Sequence, residues 1–253
     1  MSSERLRMNT TNRVERKLAG AAAVAGLAAF SYAAFSAAAW TRYGHASKPA
    51  RDEADQWLDL FMPVYEVVER HHIRVDAPVH LTFGAFMDMD LQESTVVRAI
   101  FKARELLLGG TRDAPARPRS LVQITKELGW VALAEVPGHE IVMGAVTRPW
   151  DADVVFRSIP AEHFAAFNEP GYVKIAWTLR ADAYDGDRSV ARSETRAVAT
   201  DEVARRKFRW YWARFSAGIV LIRQLSMRLV KQKAERMAYT DTAATRAAVT
   251  QPK

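Results

Sequence analysis

The chain has 253 residues, 49% hydrophobic and 26% charged, which excludes wholesale disorder and gives length for one sizeable core or two small ones. It has no cysteine, so disulfides, thiolate catalysis and cysteine-held metals or clusters are excluded. The net charge of +7 is laid out in three blocks: residues 1–51 carry eight Lys/Arg against two acids, 52–199 sixteen against twenty-three, and 200–253 twelve against four. A nucleic-acid binder carries its cations as a patch on the folded body. Here the body is acidic and the ends are basic, so no nucleic-acid partner is expected.

Leu18 to Thr41 is a run of 24 residues without a charge, half of it alanine. At about 1.5 Å per residue it is long enough for a hydrocarbon layer of about 30 Å. Tyr32, Trp40 and Tyr43 gather at its far end, where amphipathic rings favour headgroups. Five cations precede the run (Arg5, Arg7, Arg13, Arg16, Lys17) and three follow it (Arg42, Lys48, Arg51), which predicts a cytoplasmic tail over 1–17, a transmembrane helix over 18–41 and a domain outside the cytoplasm. A cleaved signal ending near Ser36-Ala37-Ala38 and a soluble alanine-rich helix are the alternatives. Ala22 and Gly26 have a spacing that lets membrane helices approach, a common accident in alanine-rich sequence.

Residues 42–63 read as a linker with a short amphipathic helix over Asp55–Met62, closed by Pro63. Val64 to Val75 alternates as a strand, with Tyr65, Val67, His71, Ile73 and Val75 on one face. Pro78 opens a helix as its first residue and runs towards Phe86. Leu91 to Leu108 reads as a second helix ended by Gly109-Gly110, and Thr111 to Arg119 as a loop. Strands follow at Trp130–Glu135 and Glu140–Val146 around Pro137-Gly138, and a short one at Asp153–Ser158. Pro160–Phe167 reads as a helical turn. Tyr172–Ala183 and Arg188–Ala199 form a hairpin around Asp185-Gly186-Asp187. Thr200 then caps a long helix to Arg236, with Phe208, Tyr211, Phe215, Ile219, Ile222, Leu225 and Leu229 as its apolar stripe. Residues 237–253 are polar and read as a flexible tail.

This order resembles the START/Bet v 1-like superfamily, also called SRPBCC or polyketide-cyclase-like, over residues 64–236. The resemblance is carried by Glu69 to Pro78, the hairpin 172–199 and the Thr200-Asp201 helix start. Arg148-Pro149-Trp150 and the Phe-x-x-Phe-x-Glu-Pro-Gly of Phe164 to Gly171 look like a bacterial subgroup of it. The resemblance implies an α+β helix-grip fold: a curved antiparallel sheet of about six strands wrapped around a long C-terminal helix, here preceded by a transmembrane helix. It also implies a hydrophobic small molecule or lipid as ligand between sheet and helix, with enzymes a minority.

The residues agree with a cavity in one respect. The face of strand 188–199 made of Ser189, Ala191, Ser193, Thr195, Ala197 and Ala199 is too small to fill a core, so either the helix packs very close or a void remains. Trp130, Trp150, Phe156, Trp177, Ser193, Thr195 and Trp212 are the candidate pocket residues, each also explicable as core. Glu69 and His71, two apart on one strand face, are the weak candidates for acid–base work. The six histidines fit no metal-ligand spacing, and no cofactor motif is present. The cations of the last helix read either as a solvated face or as contacts with anionic lipid. The reading is a membrane-anchored binder of a hydrophobic molecule. The alternatives are a cyclase- or hydrolase-like enzyme of the same fold and a tethered interaction module without a cavity.

Overall fold

The structure is a computed structural model and describes residues 2–90 and 120–249. The helix and loop expected over 91–119 lie outside the described residues. In chain order the elements are α1 (Ser2–Arg42), α2 (Gln56–Phe61), β1 (Val67–Val75), α3 (Val79–Met87), α4 (Leu121–Glu127), β2 (Val131–Val136), β3 (Glu140–Thr147), β4 (Phe156–Arg157), α5 (Ala161–Phe164), β5 (Val173–Asp185), β6 (Arg188–Ala199) and α6 (Glu202–Val249). The strands form one antiparallel sheet in the order β1-β6-β5-β3-β2, and β4 pairs with the end of β3. The long helix α6 lies across one face, which makes the architecture an α+β helix grip.

The period-two alternation of β5 and β6 sends alternate residues to the two faces of the sheet. Both faces are buried. Trp177, Leu179 and Ala181 face α6, where they pack with Met227, Val230 and Ala234. Ala176, Val142 and Val146 face the other way, under Leu58, Phe61 and Met62 around α2 and Phe164 of α5. That second cover is possible because α2 is well started: Asp55 Oδ1 accepts from the backbone N–H of Trp57 (3.1 Å) and Leu58 (2.9 Å).

The covered outer face carries an ion-pair lattice. Arg70 bonds Glu194 through two nitrogens (2.9 and 3.1 Å), and Arg196 joins Glu194 to Asp59 (2.6 Å each). Arg180 and Arg192 share Asp182 (3.1 and 2.8 Å). A recess of about 20 Å³ between Asp55, Thr178, Arg180 and Glu194 has room for a single water. Beside it, burial and the neighbouring Asp55 push the Glu140 carboxyl up to about 8.

Several boundaries differ from the sequence expectation, each for a local reason. β1 starts at Val67, not Val64, so Tyr65 falls outside the alternation and packs on the outer face under the Arg196 guanidinium (4.6 Å to the ring). Pro78 is the N-cap of α3, not its first helical residue. The cap of α6 is Asp201, whose Oδ1 accepts from Val203 N (2.7 Å) and Ala204 N (2.9 Å), while Thr200 is spent on the backbone of Tyr172. The expected strand over Asp153–Ser158 shrinks to two residues. The helix α6 continues to Val249, so 237–249 is helical and Ala238 packs on the core. Helix α4 was not expected; its signal is Ser120, whose hydroxyl accepts from Gln123 N at 3.2 Å.

The apolar N-terminal helix docks on α6. Tyr32 Oη donates to the Arg214 carbonyl at 2.6 Å, the Trp40 and Trp210 rings meet edge-on at 4.8 Å, and Arg209 lies over Trp40 at 4.2 Å while donating to its carbonyl. Tyr43 is buried against Phe208, Val67 and Val173. Its hydroxyl donates to Glu66 Oε2 (2.7 Å), which also accepts from Ala199 N (3.0 Å). Arg205 Nε donates to the other oxygen of Glu66. One buried carboxylate thus joins the end of α1, the end of β6 and the start of α6. A residue in the stretch read as linker is in this way part of the body.

Candidate functional site

The register of the sheet lines up two cross-strand rows on the face that looks at α6. Glu69 of β1 is opposite Thr195 of β6, which is opposite Trp177 of β5; His71, Ser193 and Leu179 form the next row. On the helix, Ile219, Arg223, Met227, Val230 and Ala234 recur at helical spacing, so Arg223 points inward with the core residues. Its Nη2 donates to Thr195 Oγ1 at 3.1 Å and its Nη1 approaches Ser193 Oγ at 3.5 Å; the guanidinium lies 5.5 Å from the Trp177 ring centre.

This cationic patch sits where the core is interrupted. One apolar cluster, around Phe208, Trp212, Val173 and Ala197, lies towards the start of α6. The other, around Met227, Val230, Leu179 and Ala191, lies further along. Between them Ile175, Thr195, Phe215, Ile219, Ile222 and Arg223 are all only half-buried. The Glu69 and His71 side chains are 23% and 14% exposed. These half-buried aliphatic and aromatic side chains surround a polar floor of Glu69, His71, Ser193, Thr195 and Arg223 that is partly reachable from solvent.

The polar groups of that floor are incompletely matched. Among the described residues no carboxylate lies within ion-pair distance of Arg223, and two of its five N–H donors are directed at hydroxyls. Burial lowers its pKa to about 10, still leaving it a cation at neutral pH. His71 Nε2 is buried without a hydrogen-bond partner; the nearest Glu69 oxygen, 3.7 Å away, is too distant to be one. Burial, with the Arg223 charge and then His72 adding to it, lowers the His71 pKa, so its imidazole is neutral at pH 7. Burial raises Glu69 to about 7, opposed by the charge of Arg42. The floor therefore holds a cation, an imidazole kept neutral by burial and a carboxyl raised towards neutral pH.

Of the sequence candidates, the structure brings Glu69, His71, Trp177, Ser193 and Thr195 together around Arg223. Trp130 lies against Trp177 (6.1 Å between ring centres) and, tilted, against Phe156 (5.1 Å), beside the β2 edge of the sheet. Trp212 belongs to the neighbouring cluster. Trp150 is at the rim under Lys207, 5.7 Å from its ring. The small face of β6 is met by side chains along its length. Ala191 and Ala197 are packed closely, and Ser189 is consumed by Thr82 (2.7 Å) and the Ala77 carbonyl (2.8 Å), whereas Ser193 and Thr195 meet Arg223. Sequence reading missed Arg223 by counting it among the surface cations. Its place four residues after Ile219 and four before Met227 is the signal that puts it inside.

The chain matches no protein-family model and no curated protein. Among solved structures it is similar to CalU16 from Micromonospora echinospora, at 14% identity and a TM-score of 0.23, over 67% of this chain and 84% of that one. It is also similar to the Zhui aromatase/cyclase from Streptomyces sp. R1128, at 13% identity and a TM-score of 0.22, over 67% of this chain and 93% of that one. The fold assignment rests on the sheet order and the gripped helix. Among the described residues no three His, Asp or Glu side chains are grouped as a metal site.

The two raised carboxyls fix a pH dependence. Glu69 and Glu140 keep their protons in the folded chain up to about 7 and about 8, whereas in the unfolded chain they ionise near 4.5. The folded state then binds more protons between those limits, so stability falls as pH rises through that window and levels above it. Melting temperature measured from pH 5 to pH 9 is expected to decline to about pH 8, and Glu140→Gln is expected to flatten the decline.

Proposed function

We propose that this chain is a membrane-anchored protein that binds a small hydrophobic amphiphile between sheet and α6, with the polar end of the ligand at Arg223. The observation that carries this is the Arg223 site itself: a cation turned inward among half-buried apolar side chains, with hydroxyls on one side, a tryptophan face on another and no carboxylate partner among the described residues. A partly buried cation left unpaired lowers stability, and such a cost persists where a ligand repays it. Apolar burial along Ile175, Trp177, Ile219 and Ile222 would drive binding, and an anionic head (carboxylate or phosphate) would complete the guanidinium.

The anchor is the uncharged run Leu18–Thr41; the overlapping stretch Ala22–Arg42 is by length and composition able to cross a bilayer. The five-to-three excess of flanking cations supports an N-terminus in the cytoplasm and the domain on the other side.

The test is a fluorescence titration of the full chain with cis-parinaric acid, a polyene fatty acid. Arg223→Gln is expected to weaken binding by roughly 10- to 100-fold, the worth of a charged hydrogen bond, and to leave the melting temperature unchanged or raised. Equal affinity in the two proteins, or an affinity lost only together with the fold, sinks the assignment.

A second reading has its own observation. A carboxyl raised towards neutral pH and a neutral imidazole 3.7 Å apart beside a cation are the components of proton transfer on a bound carbonyl or enolate. In that case Glu69→Gln abolishes turnover of the bound molecule while parinaric acid binding survives.

A further inference from the structure

The docking of α1 on α6 fixes how the domain meets the bilayer. The uncharged run Leu18–Thr41 is about 36 Å long as a helix, but from Tyr32 onward it is occupied by α6. The part ahead of Tyr32, residues 18–31, covers about 21 Å, some 9 Å less than a hydrocarbon layer of about 30 Å. Counting from Leu18, the layer ends near residue 37, one turn before Trp40. A helix that keeps its contacts with α6 therefore holds the stretch of α6 beside Trp40 at the headgroups and draws the Arg214 backbone, level with Tyr32, about 7 Å below them.

That stretch is built for such a place. Val203 and Trp210 are 53% and 54% exposed, and with Arg206, Lys207 and Arg214, also exposed, they line one outer face of α6 at helical spacing. From Val203 to Ala234 the helix has nine Lys/Arg and no acid. Arg214, level with Tyr32, lies over the Trp210 ring at 4.9 Å, so its charge is directed back towards Trp210 and Trp40 and away from the layer interior. Tryptophans beside cations at one level are the composition of a headgroup contact.

We propose that Val203, Arg206, Lys207, Trp210 and Arg214 of α6, with Trp40 of α1, form a seat on an anionic lipid surface. The domain sits flush on the bilayer and does not hang from a tether. This rests on the reading that α1 enters the membrane. The occupant is a lipid leaflet because the face continues the apolar helix and is net cationic, with Glu202 at its edge paired to Arg205 and Arg206.

The experiment uses the full chain reconstituted into phosphatidylcholine/phosphatidylglycerol vesicles whose acyl chains are brominated near the headgroup, with tryptophan quenching as readout. The expected result is quenching that Trp210→Phe reduces by a large share and Trp40→Phe with Trp210→Phe by most of its amplitude, while Trp212→Phe, a buried control, does not. Replacing Arg206 and Lys207 by glutamate should then lower the quenching in these vesicles to its level in pure phosphatidylcholine. If the chain floats with the vesicles but Trp210→Phe leaves the quenching unchanged, the seat is wrong and the anchor stands. If the chain does not float with vesicles, the anchor is wrong and the seat falls with it.

Discussion

Arg196→Met is expected to destabilise the chain by about 3–5 kcal/mol, the usual cost of removing one member of a buried charged network. Arg196 is 0% exposed and is the hinge of the outer lattice. It donates to Glu194 (2.6 Å), Asp59 (2.6 Å) and the Met62 carbonyl (2.9 Å), and stacks on Tyr65. Removing it leaves the Met62 carbonyl without this donor and releases Asp59 to water. Glu194 keeps Arg70, which bounds the loss. Because these contacts fasten the C-terminal half of α2 and its cap to the sheet, the cover over Ala176 and Val142 loosens from that end. A lysine at the same place cannot serve three acceptors in a fixed plane, so Arg196→Lys recovers only part of the loss. Thermal unfolding followed by near-ultraviolet circular dichroism should show a fall on the order of 10 °C. A change within about 1 kcal/mol, the range of exposed ion pairs, would show that the lattice is decorative.

The second large effect is at Glu66. Glu66→Gln is expected to cost about 2–4 kcal/mol and to release α1, because the amide keeps at most part of three charge-assisted bonds and turns an N–H₂ group towards Arg205 or Tyr43. The loss is graded along the junction. Tyr43→Phe deletes one hydroxyl bond and should cost about 1–2 kcal/mol. Arg205→Ala, at a largely solvated cation, should cost less than about 1 kcal/mol. Trypsin provides the readout specific to the junction. Cleavage at Arg42, Lys48 and Arg51 should accelerate in Glu66→Gln more than cleavage elsewhere in the body. Uniform acceleration would mean that Glu66 supports the fold but does not fasten α1.

These two positions also show where the sequence was readable. The hairpin 188–199 was legible to the residue, because a period of two over twelve residues, bounded by Asp-Gly-Asp, admits one register. That alternation puts Ser193 and Thr195 on one face and the alternation of β1 puts Glu69 with His71, but only the pairing of β1 with β6 brings the two sets side by side. Arg223 was not legible, because an arginine among nine cations on a basic helix reads as surface unless its phase is counted against Ile219 and Met227. Arg196 and Glu194 alternate on a strand as if solvated, and only the arrival of α2 from far earlier in the chain turns that face inward. Tyr65 reads as part of a strand face because the alternation extends three residues too far, from Val67 back to Val64. The docking of α1 on α6 pairs residues 182 apart in sequence, Tyr32 and Arg214, and no local pattern encodes it.

The central claim is that the site at Arg223 holds an amphiphile. The most direct measurement is to purify the full chain and Arg223→Gln side by side in the same detergent, extract both with organic solvent and compare the extracts by mass spectrometry. The account predicts one anionic hydrophobic molecule close to stoichiometric with the parent chain and strongly depleted from the variant. Equal recovery of every lipid from both proteins, or nothing from either, would contradict it.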